Sequence, residues 1–185
     1  GNYIFNTELL LEILQHDAQQ DDRQHDFGRS VLPALLQSHK LMAYDFRRNR
    51  VPLDFKGEET SYWRDVGTIE SYFAANMDLR AVSPSLNLSN KTWPIRTLGY
   101  GGPPPKFVFD GASRTGVAIN SIVAEGTILS GSRIYGSVIG QNVRIHSYCQ
   151  IEDSIIMDWV EIGRGCRIKK AIIDKFNTLA PGTEI

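Results

Sequence analysis

Two short segments of the sequence carry side chains that could bind a metal ion or a sugar phosphate. The first reads Trp-Arg-Asp-Val-Gly at 63–67, where the pattern predicts the end of a strand. Open α/β sheets bind ligands at the carboxyl ends of their strands, so Asp65 could hold Mg²⁺ against phosphates. Trp63 could stack on a sugar. The alternative is structural, with Asp65 capping the helix that begins near Thr68.

The second segment reads His-Asp-Phe-Gly at 25–28 and leads into a predicted helix. Asp26 at a helix start is typical of an N-cap, and a ligand contact is the alternative. The chain has neither a glycine-rich phosphate loop nor a convincing set of nucleophile, histidine and acid. Its histidines share no metal-like spacing and are interpreted as surface or structural residues: His16, His25, His39 and His146.

Composition argues against several classes of function. The 20 basic and 21 acidic residues nearly balance, which does not favour binding to nucleic acid or to a membrane surface. No apolar run has the length of a membrane span, and the N-terminus does not read as a signal peptide. We therefore expect a cytoplasmic protein that binds neither nucleic acid nor membranes. Cys149 and Cys166 are then expected as reduced, packed thiols, with a disulfide as the alternative.

One local exception to this charge balance is a dense basic cluster near the C-terminus. A solvated face and an anion-binding site explain it equally well. Its members are Arg164, Arg167, Lys169, Lys170 and Lys175.

The elements that would position the two candidate segments alternate between strand and helix over residues 1–79. The patterns predict strands at Gly1–Phe5 and Leu41–Phe46, a charged loop at Arg47–Thr60, and helices from Thr7 and Ile69. A further helix is predicted at Arg29–Ser38, with Val31, Leu32, Leu35 and Leu36 pointing inward. This alternation is typical of an α/β domain, although too few strands are present for a complete doubly wound sheet. We interpret residues 1–79 as the C-terminal part of such a Rossmann-like domain. Residues 80–118, rich in proline and aromatics, are predicted to form an ordered connector.

Residues 119–185 are dominated by an aliphatic ladder with a period of six. Four triplets start seventeen residues apart, and eleven of the twelve residues are isoleucine: Ile122, Ile128, Ile134; Ile139, Ile145, Ile151; Ile156, Ile162, Ile168; Ile173, Leu179, Ile185. A chain that turns a corner every five or six residues gives this spacing, so the pattern predicts a left-handed parallel β-helix of hexapeptide repeats. Small residues are expected inside one corner: Ser132, Cys149, Cys166 and Thr183.

The first coil of this ladder leaves two registers open. Ser121–Val123 aligns with Ser137–Ile139 at a spacing of sixteen rather than seventeen.

Several motifs together resemble the bacterial ADP-glucose pyrophosphorylases (glucose-1-phosphate adenylyltransferases), which commit glucose to glycogen. These motifs are HDFG at 25–28, YWRDVGTIESYFAANMDL at 62–79, WPIRT at 93–97, PPPKFVFD at 103–110 and AIIDK at 171–175. They occur in the family's order, and the resemblance covers essentially the whole chain. It implies a nucleotidyltransferase domain joined to a left-handed β-helix, and a homotetramer. It also implies Mg²⁺ as cofactor, with ATP and glucose 1-phosphate as substrates.

The resemblance also implies roles for individual residues. Asp65 matches the family's second Mg²⁺-binding aspartate, which neutralises phosphate charge during catalysis. Trp63 matches a residue at the glucose end of the pocket, and Asp26 and Phe27 match residues near glucose 1-phosphate. Lys175 matches a basic position that helps to bind the allosteric effector, a phosphorylated sugar or an organic acid.

The sequence also departs from the family pattern. The family's glycine-rich nucleotide loop, first metal-binding aspartate and phosphate-gripping lysine have no counterpart in these 185 residues. The chain starts without methionine and stops on an inward ladder position. We therefore expect a fragment that is inactive alone. Two alternatives remain, a non-catalytic regulatory subunit of the same family and a hexapeptide acyltransferase, which would use His146 between neighbouring subunits.

Overall fold

A computed structural model describes residues 2–21, 24–53, 58–111 and 114–185, without the side chains of Glu58–Thr60. The chain divides into two compact units, Gly1–Arg47 and Arg48–Ile185. Within the described ranges, no helix has the length and apolar character needed to cross a membrane.

Helix α1 of the first unit spans Thr7–Ala18 and begins as the sequence predicts. The Asn6 side chain accepts hydrogen bonds from the backbone N–H groups of Glu8 and Leu9, at 3.0 and 3.3 Å. These bonds satisfy two N–H groups that have no partner inside the helix, which favours a start at this residue.

The second predicted helix of this unit is shorter than expected. A π-helical turn at Phe27–Val31 continues into α2, Leu32–Leu35. Val31 and Leu35 are buried as predicted, whereas Leu36, expected to point inward, is 67% exposed.

The strands predicted in the first 79 residues do not form. Residues 2–6, 41–45 and 61–67 contain no strand, and Ile4 is fully exposed. A strand needs a neighbour to satisfy its backbone groups, and among the described residues none lies beside these segments. The segment predicted as a charged loop instead supplies a small antiparallel sheet, β1 (Arg50–Pro52) with β2 (Glu58–Thr60).

Helix α3 spans Ile69–Leu79 and confirms its predicted start. Thr68 is the N-cap, with its hydroxyl accepting from the Ser71 N–H at 3.1 Å, and the Ser71 hydroxyl accepts in return from the Thr68 N–H. The acidic Glu70 in the first turn lies at the positive end of the helix dipole. This end of the helix carries the loop that contains Asp65.

The predicted parallel β-helix has three sheets as its faces, and its first strands begin at Lys106 and Val117, within the segment predicted as connector. One face orders β4 (Val117–Ile119), β7 (Arg133–Tyr135), β10 (Gln150–Glu152) and β13 (Arg167–Lys169). The second orders β5 (Ile122–Val123), β8 (Val138–Ile139), β11 (Ile155–Ile156) and β14 (Ile172–Ile173). The third orders β3 (Lys106–Val108), β6 (Ile128–Ser130), β9 (Arg144–Ile145), β12 (Glu161–Ile162) and β15 (Thr178–Leu179).

The register of the first coil corrects two positions of the ladder. Val123 pairs with Ile139, and Leu129 pairs with Ile145. The inward residues are therefore Val123 and Leu129, whereas the expected Ile122 and Ile128 lie one position off. Leu129 is 1% exposed and Ile128 is 37% exposed. The first coil has sixteen residues, so the second of the two possible registers is the correct one.

The small corner residues are packed as predicted over the first three coils. Ser132, Cys149 and Cys166 are buried, and the Ser132 hydroxyl accepts from the Cys149 N–H one coil later at 2.8 Å. Both cysteines are free thiols, so the disulfide alternative is wrong. Thr183 is only partly buried.

The connector begins and ends with ordered contacts. The buried Asn90 amide donates to the Pro52 carbonyl at 2.8 Å, which fixes the start of the connector to β1. At the other end β3 pairs in parallel with β6, so this end of the connector joins the first coil. Residues 91–101 between these points are exposed.

Candidate functional site

The loop at 61–67 presents Asp65 on a short hydrogen-bonded turn. Asp65 Oδ1 accepts from the Gly67 N–H at 3.0 Å, and a Cβ at Gly67 would lie 3.2 Å from the same oxygen. Thr68, not Asp65, caps α3, so the helix-capping alternative for Asp65 is wrong. The second carboxylate oxygen makes no hydrogen bond to a described residue, and Asp65 is exposed. One oxygen therefore shapes the turn while the other is available to a ligand.

The residues before Asp65 include one that holds the loop against α3 and one that is exposed. The Arg64 guanidinium lies 3.6 Å from the Asp78 carboxylate in the last turn of the helix. Trp63 is 60% exposed, so a large face of its indole ring is accessible. The loop therefore presents an aromatic residue and a carboxylate two positions apart.

A groove of about 790 Å³ adjoins this loop, between the start of α3 and one face of the β-helix. Its lining is mostly apolar, with Glu70 and Lys170 as the charged members. The lining residues are Val66, Gly67, Thr68, Ile69, Glu70, Tyr72, Phe73, Met157, Lys170 and Ile172.

Asp26 and Phe27 belong to the first unit, whereas Trp63 and Asp65 belong to the second. Asp26 is the N-cap that its position predicts, since its Oδ1 accepts from the Arg29 N–H at 2.8 Å. The Phe27 ring stacks on Tyr3 with centroids 5.4 Å apart and contacts Phe5 at 5.7 Å. Both residues thus have structural roles, which leave an exposed Asp26 carboxylate and one partly exposed Phe27 ring.

Lys175 lies at the corner between β14 and β15 and is exposed. Its backbone N–H donates to Asp174 Oδ1 at 2.8 Å. Its ammonium group makes no ion pair with any described residue, so it is available to an anion.

Three members of the basic cluster already have partners. Lys169 lies 2.9 Å from Glu152, and this hydrogen bond raises the pKa of Lys169. Arg167 lies 3.5 Å from Glu184, and Arg164 stacks on the Tyr148 ring at 4.6 Å. The remaining two, Lys170 and Lys175, lie at different corners. Two of the five members are therefore ion-paired, and a third is held against an aromatic ring.

His146, the candidate of the acyltransferase alternative, forms a hydrogen bond within the β-helix. Its Nε2 lies 2.8 Å from Glu161 Oε1 in the next coil, and this hydrogen bond lowers the pKa of Glu161. A histidine held by a carboxylate on the protein's own surface has a structural explanation.

Potential metal ligands do not form a complete cluster in the part of the chain described. No group of three or more His, Cys, Asp or Glu residues there could hold a metal ion. Mg²⁺ often uses only one or two protein carboxylates, with water and substrate phosphates as its other ligands. Asp65, with one oxygen available, fits one such ligand position and does not form a complete site.

Two features near the site are not predicted by sequence patterns. Arg80, the C-cap of α3, binds Asp153 of the β-helix although 73 residues separate them. Trp159 and Phe176 project from corners of the β-helix in a left-handed backbone conformation. Positive φ at a corner could have been expected from the glycines and asparagine at equivalent positions, but aromatic residues there give no such signal.

Comparisons with known proteins identify both parts of the chain. Residues 1–82 match the nucleotidyl transferase family, and residues 103–185 match the GlmU-like C-terminal hexapeptide family. A glucose-1-phosphate adenylyltransferase of Rhodopirellula baltica is 47% identical over 100% of this chain and 41% of its own length. The Paramagnetospirillum magneticum protein of the same name is 44% identical over 98% of this chain and 42% of its own length.

The chain belongs to the glucose-1-phosphate adenylyltransferase family. It spans less than half the length of these curated relatives. The match confirms the expected architecture, in which part of a nucleotidyltransferase domain precedes a hexapeptide β-helix of about four turns. The α/β assignment of the first 79 residues thus holds at the family level, although the individual strands predicted there do not form.

Proposed function

We propose that this chain is part of an enzyme that makes ADP-glucose and pyrophosphate from ATP and glucose 1-phosphate for glycogen synthesis. The observation that carries this proposal is 47% identity, over the full chain, to a relative with the corresponding name. In this reaction a phosphate oxygen of the sugar attacks the α-phosphorus of ATP. Catalysis then depends on positioning and on neutralising phosphate charge rather than on a covalent nucleophile.

Asp65 is the residue to which we give the catalytic and metal-binding role. Asp65 Oδ1 accepts a hydrogen bond from the Gly67 N–H at 3.0 Å, which fixes this oxygen and leaves the other carboxylate oxygen exposed. That second oxygen is the ligand we propose for Mg²⁺. The ion, when bound, would offset negative charge on the reacting phosphates.

The sugar side of the site is assigned to three further residues. The exposed Trp63 indole offers a flat apolar face for the glucose ring. Asp26 uses Oδ1 as a helix cap, so its other oxygen could accept from a sugar hydroxyl. Phe27, held by Tyr3 and Phe5, is proposed to contact glucose 1-phosphate.

Regulation and assembly are assigned to the β-helix. The exposed ammonium group of Lys175 is the position we propose for an anionic effector, a phosphorylated sugar or an organic acid. We also propose that the protein forms a homotetramer through the β-helix. We also propose a cytoplasmic location, where Cys149 and Cys166 would stay reduced.

A hybrid enzyme tests the proposed activity directly. It joins the N-terminal part of the Rhodopirellula baltica relative, which this chain does not span, to these 185 residues. We expect the hybrid to release pyrophosphate from ATP and glucose 1-phosphate in the presence of Mg²⁺. We expect no release by the 185 residues alone, because they contain no glycine-rich phosphate loop. An inactive but folded hybrid would favour the second candidate, a non-catalytic regulatory subunit.

The acyltransferase alternative has weaker support. Its histidine is paired with Glu161, and the nucleotidyl transferase match over residues 1–82 has no place in it. An acyl-transfer activity of the hybrid that a His146→Gln substitution abolished would revive it.

A further inference from the structure

Asp17 is a buried charged residue of the first unit with no role in the site described above. It lies in the last turn of α1 and is 4% exposed. A carboxylate is unfavourable there for two reasons. Burial removes its hydration, and the C-terminal end of a helix carries a partial negative charge. The side chain therefore needs partners, and one of them is His25.

His25 binds Asp17 from the position directly before Asp26 in the chain. Its Nδ1 lies 2.9 Å from Asp17 Oδ2. An ionised carboxylate can only accept, so Nδ1 carries the proton of this hydrogen bond. The His25 side chain is 53% exposed and the Asp17 side chain 6% exposed. The bond therefore ties a surface segment to a carboxylate that is fixed within α1.

The backbone changes direction at His25. Its φ is +50°, in the left-handed region, and Asp26 returns to extended backbone with φ −116° and ψ 133°. Histidine adopts the left-handed region more readily than most residues other than glycine. Because one residue makes this change of direction, the position of the His25 ring and the direction in which the chain enters Asp26 are coupled.

The π-helical turn fixes Asp26 from its other side. The Asp26 N–H donates to Ser30 Oγ at 3.0 Å, and Asp26 Oδ1 accepts from the Arg29 N–H at 2.8 Å. This turn contacts α1, and Val31 within it is 2% exposed. Asp26 is therefore held between two attachments to α1, the packing of the π-helical turn and the hydrogen bond of His25.

We propose that Asp17 and His25 are positioning residues, which hold the turn that presents Asp26 and Phe27 to glucose 1-phosphate. This inference rests on the proposed function, in which Asp26 and Phe27 contact that substrate. Asp17 anchors His25, and His25 sets the direction of the chain into Asp26, so neither has to touch the sugar. The second carboxylate oxygen of Asp26 is then ordered before the substrate arrives, which lowers the entropic cost of binding.

Two substitutions separate the backbone conformation of His25 from its hydrogen bond. His25→Gly keeps the left-handed conformation accessible but removes the ring. His25→Asn also tolerates positive φ. Its Nδ2 is bonded to Cγ, as Nδ1 of histidine is, so it can donate to Asp17 in place of the ring. His39→Gly is the matched control, because His39 is an exposed histidine of the same unit whose Nδ1 bonds to the neighbouring Ser38 hydroxyl.

The KM of the hybrid enzyme for glucose 1-phosphate measures the proposed role. We expect His25→Gly to raise this KM at least about tenfold, the loss typical of one hydrogen bond to a charged group. We expect kcat and the KM for ATP to change less than about threefold, because only sugar binding is affected. His25→Asn should restore most of the affinity, and His39→Gly should leave it unchanged. A lower melting temperature without the selective rise in KM would indicate a purely structural bond and overturn the inference.

Hydrogen exchange of the 185-residue chain gives a readout that does not depend on activity. We expect the peptide covering residues 24–32 to exchange at least about fivefold faster in His25→Gly and to recover in His25→Asn. Unchanged exchange would overturn the inference, as would a His25→Asn variant with the KM of His25→Gly. An active hybrid whose KM does not respond to His25→Gly would overturn this inference alone. An unmodified hybrid without activity would contradict the proposed function and this inference together.

Discussion

Arg80 Nη2 lies 3.1 Å from Asp153 Oδ1, and this ion pair fixes the end of α3 to the β-helix. Asn120, with its amide oriented to satisfy both groups, adds bonds of 3.0 Å to the Arg80 carbonyl and Nη1. Arg80 Nε is buried without a hydrogen-bond partner among the described residues. The loop that bears Asp65 precedes the same helix, so this contact helps to determine where the candidate carboxylate lies.

Removing one partner of this ion pair should destabilise the second unit. We expect Asp153→Asn to lower the free energy of unfolding by about 1–2 kcal/mol, because a largely buried guanidinium loses its counter-charge. Asparagine, like aspartate, tolerates the φ of +43° at this position, so the backbone should not change. Urea denaturation measures the change. A double-mutant cycle with Arg80→Met isolates the pair, and a coupling energy near zero would contradict the assignment.

Two glycines with nearly the same φ should respond differently to alanine. Gly126 and Gly165 have φ values of +75° and +74°, so alanine is strained at both. A Cβ at Gly126 would also collide with the Asn142 side chain, whereas a Cβ at Gly165 meets nothing within 4 Å. We expect Gly165→Ala to cost about 1 kcal/mol and Gly126→Ala distinctly more. Thermal unfolding at low protein concentration compares the stabilities of the two variants. Equal losses of stability would exclude the collision at Gly126.

The Cys149 thiol should be unreactive while the chain is folded. Burial raises the pKa of Cys149, so little thiolate forms near pH 8. We expect Ellman's reagent to modify Cys149 only after denaturation in urea, as checked by peptide mass mapping. Because burial in the folded state favours the neutral thiol, Cys149 contributes to stability at neutral pH. This contribution is lost as the pH rises past about 8.5, where the unfolded thiol ionises.

Lys175→Ala should weaken the response to an anionic effector. In the hybrid enzyme we expect the effector concentration for half-maximal response to rise at least tenfold, because an unpaired ammonium group is lost. A panel of phosphorylated sugars and organic acids identifies the effector first. Lys169→Ala is the matched control, since Lys169 is already paired with Glu152 and should leave the response intact. If the two variants behave alike, the assignment of Lys175 is wrong.

The periodic and local features of this fold could be predicted from the sequence. The aliphatic ladder predicts the β-helix because one inward residue per face is a repeating requirement of that fold. The start of α3 at Thr68 follows from capping chemistry within four residues. In the first coil the ladder places the inward residues one position too early. Ile122 and Val123 are both β-branched and suit an inward position equally well, so the sequence does not distinguish them.

Features that depend on distant partners could not be predicted in this way. A strand at residues 2–6 requires a neighbouring strand, which no local pattern supplies. The ion pair of Arg80 with Asp153 joins residues 73 apart. The candidate site falls between these cases. Asp65 and Trp63 stand out by type and position, but their proposed roles depend on the resemblance to a family, and the structure adds an exposed, hydrogen-bonded turn.

The rate of adenylyl transfer by an Asp65→Asn variant of the hybrid enzyme tests the central claim most directly. Asparagine retains an oxygen that can accept from the Gly67 N–H, so the turn is preserved while the charge is removed. We predict a fall in kcat of at least about 100-fold, with the melting temperature unchanged. Glu70→Gln, which removes a carboxylate from the first turn of α3, should lower kcat by less than about threefold. A rate for Asp65→Asn close to that of the unmodified hybrid, at saturating Mg²⁺ and substrates, would contradict the account.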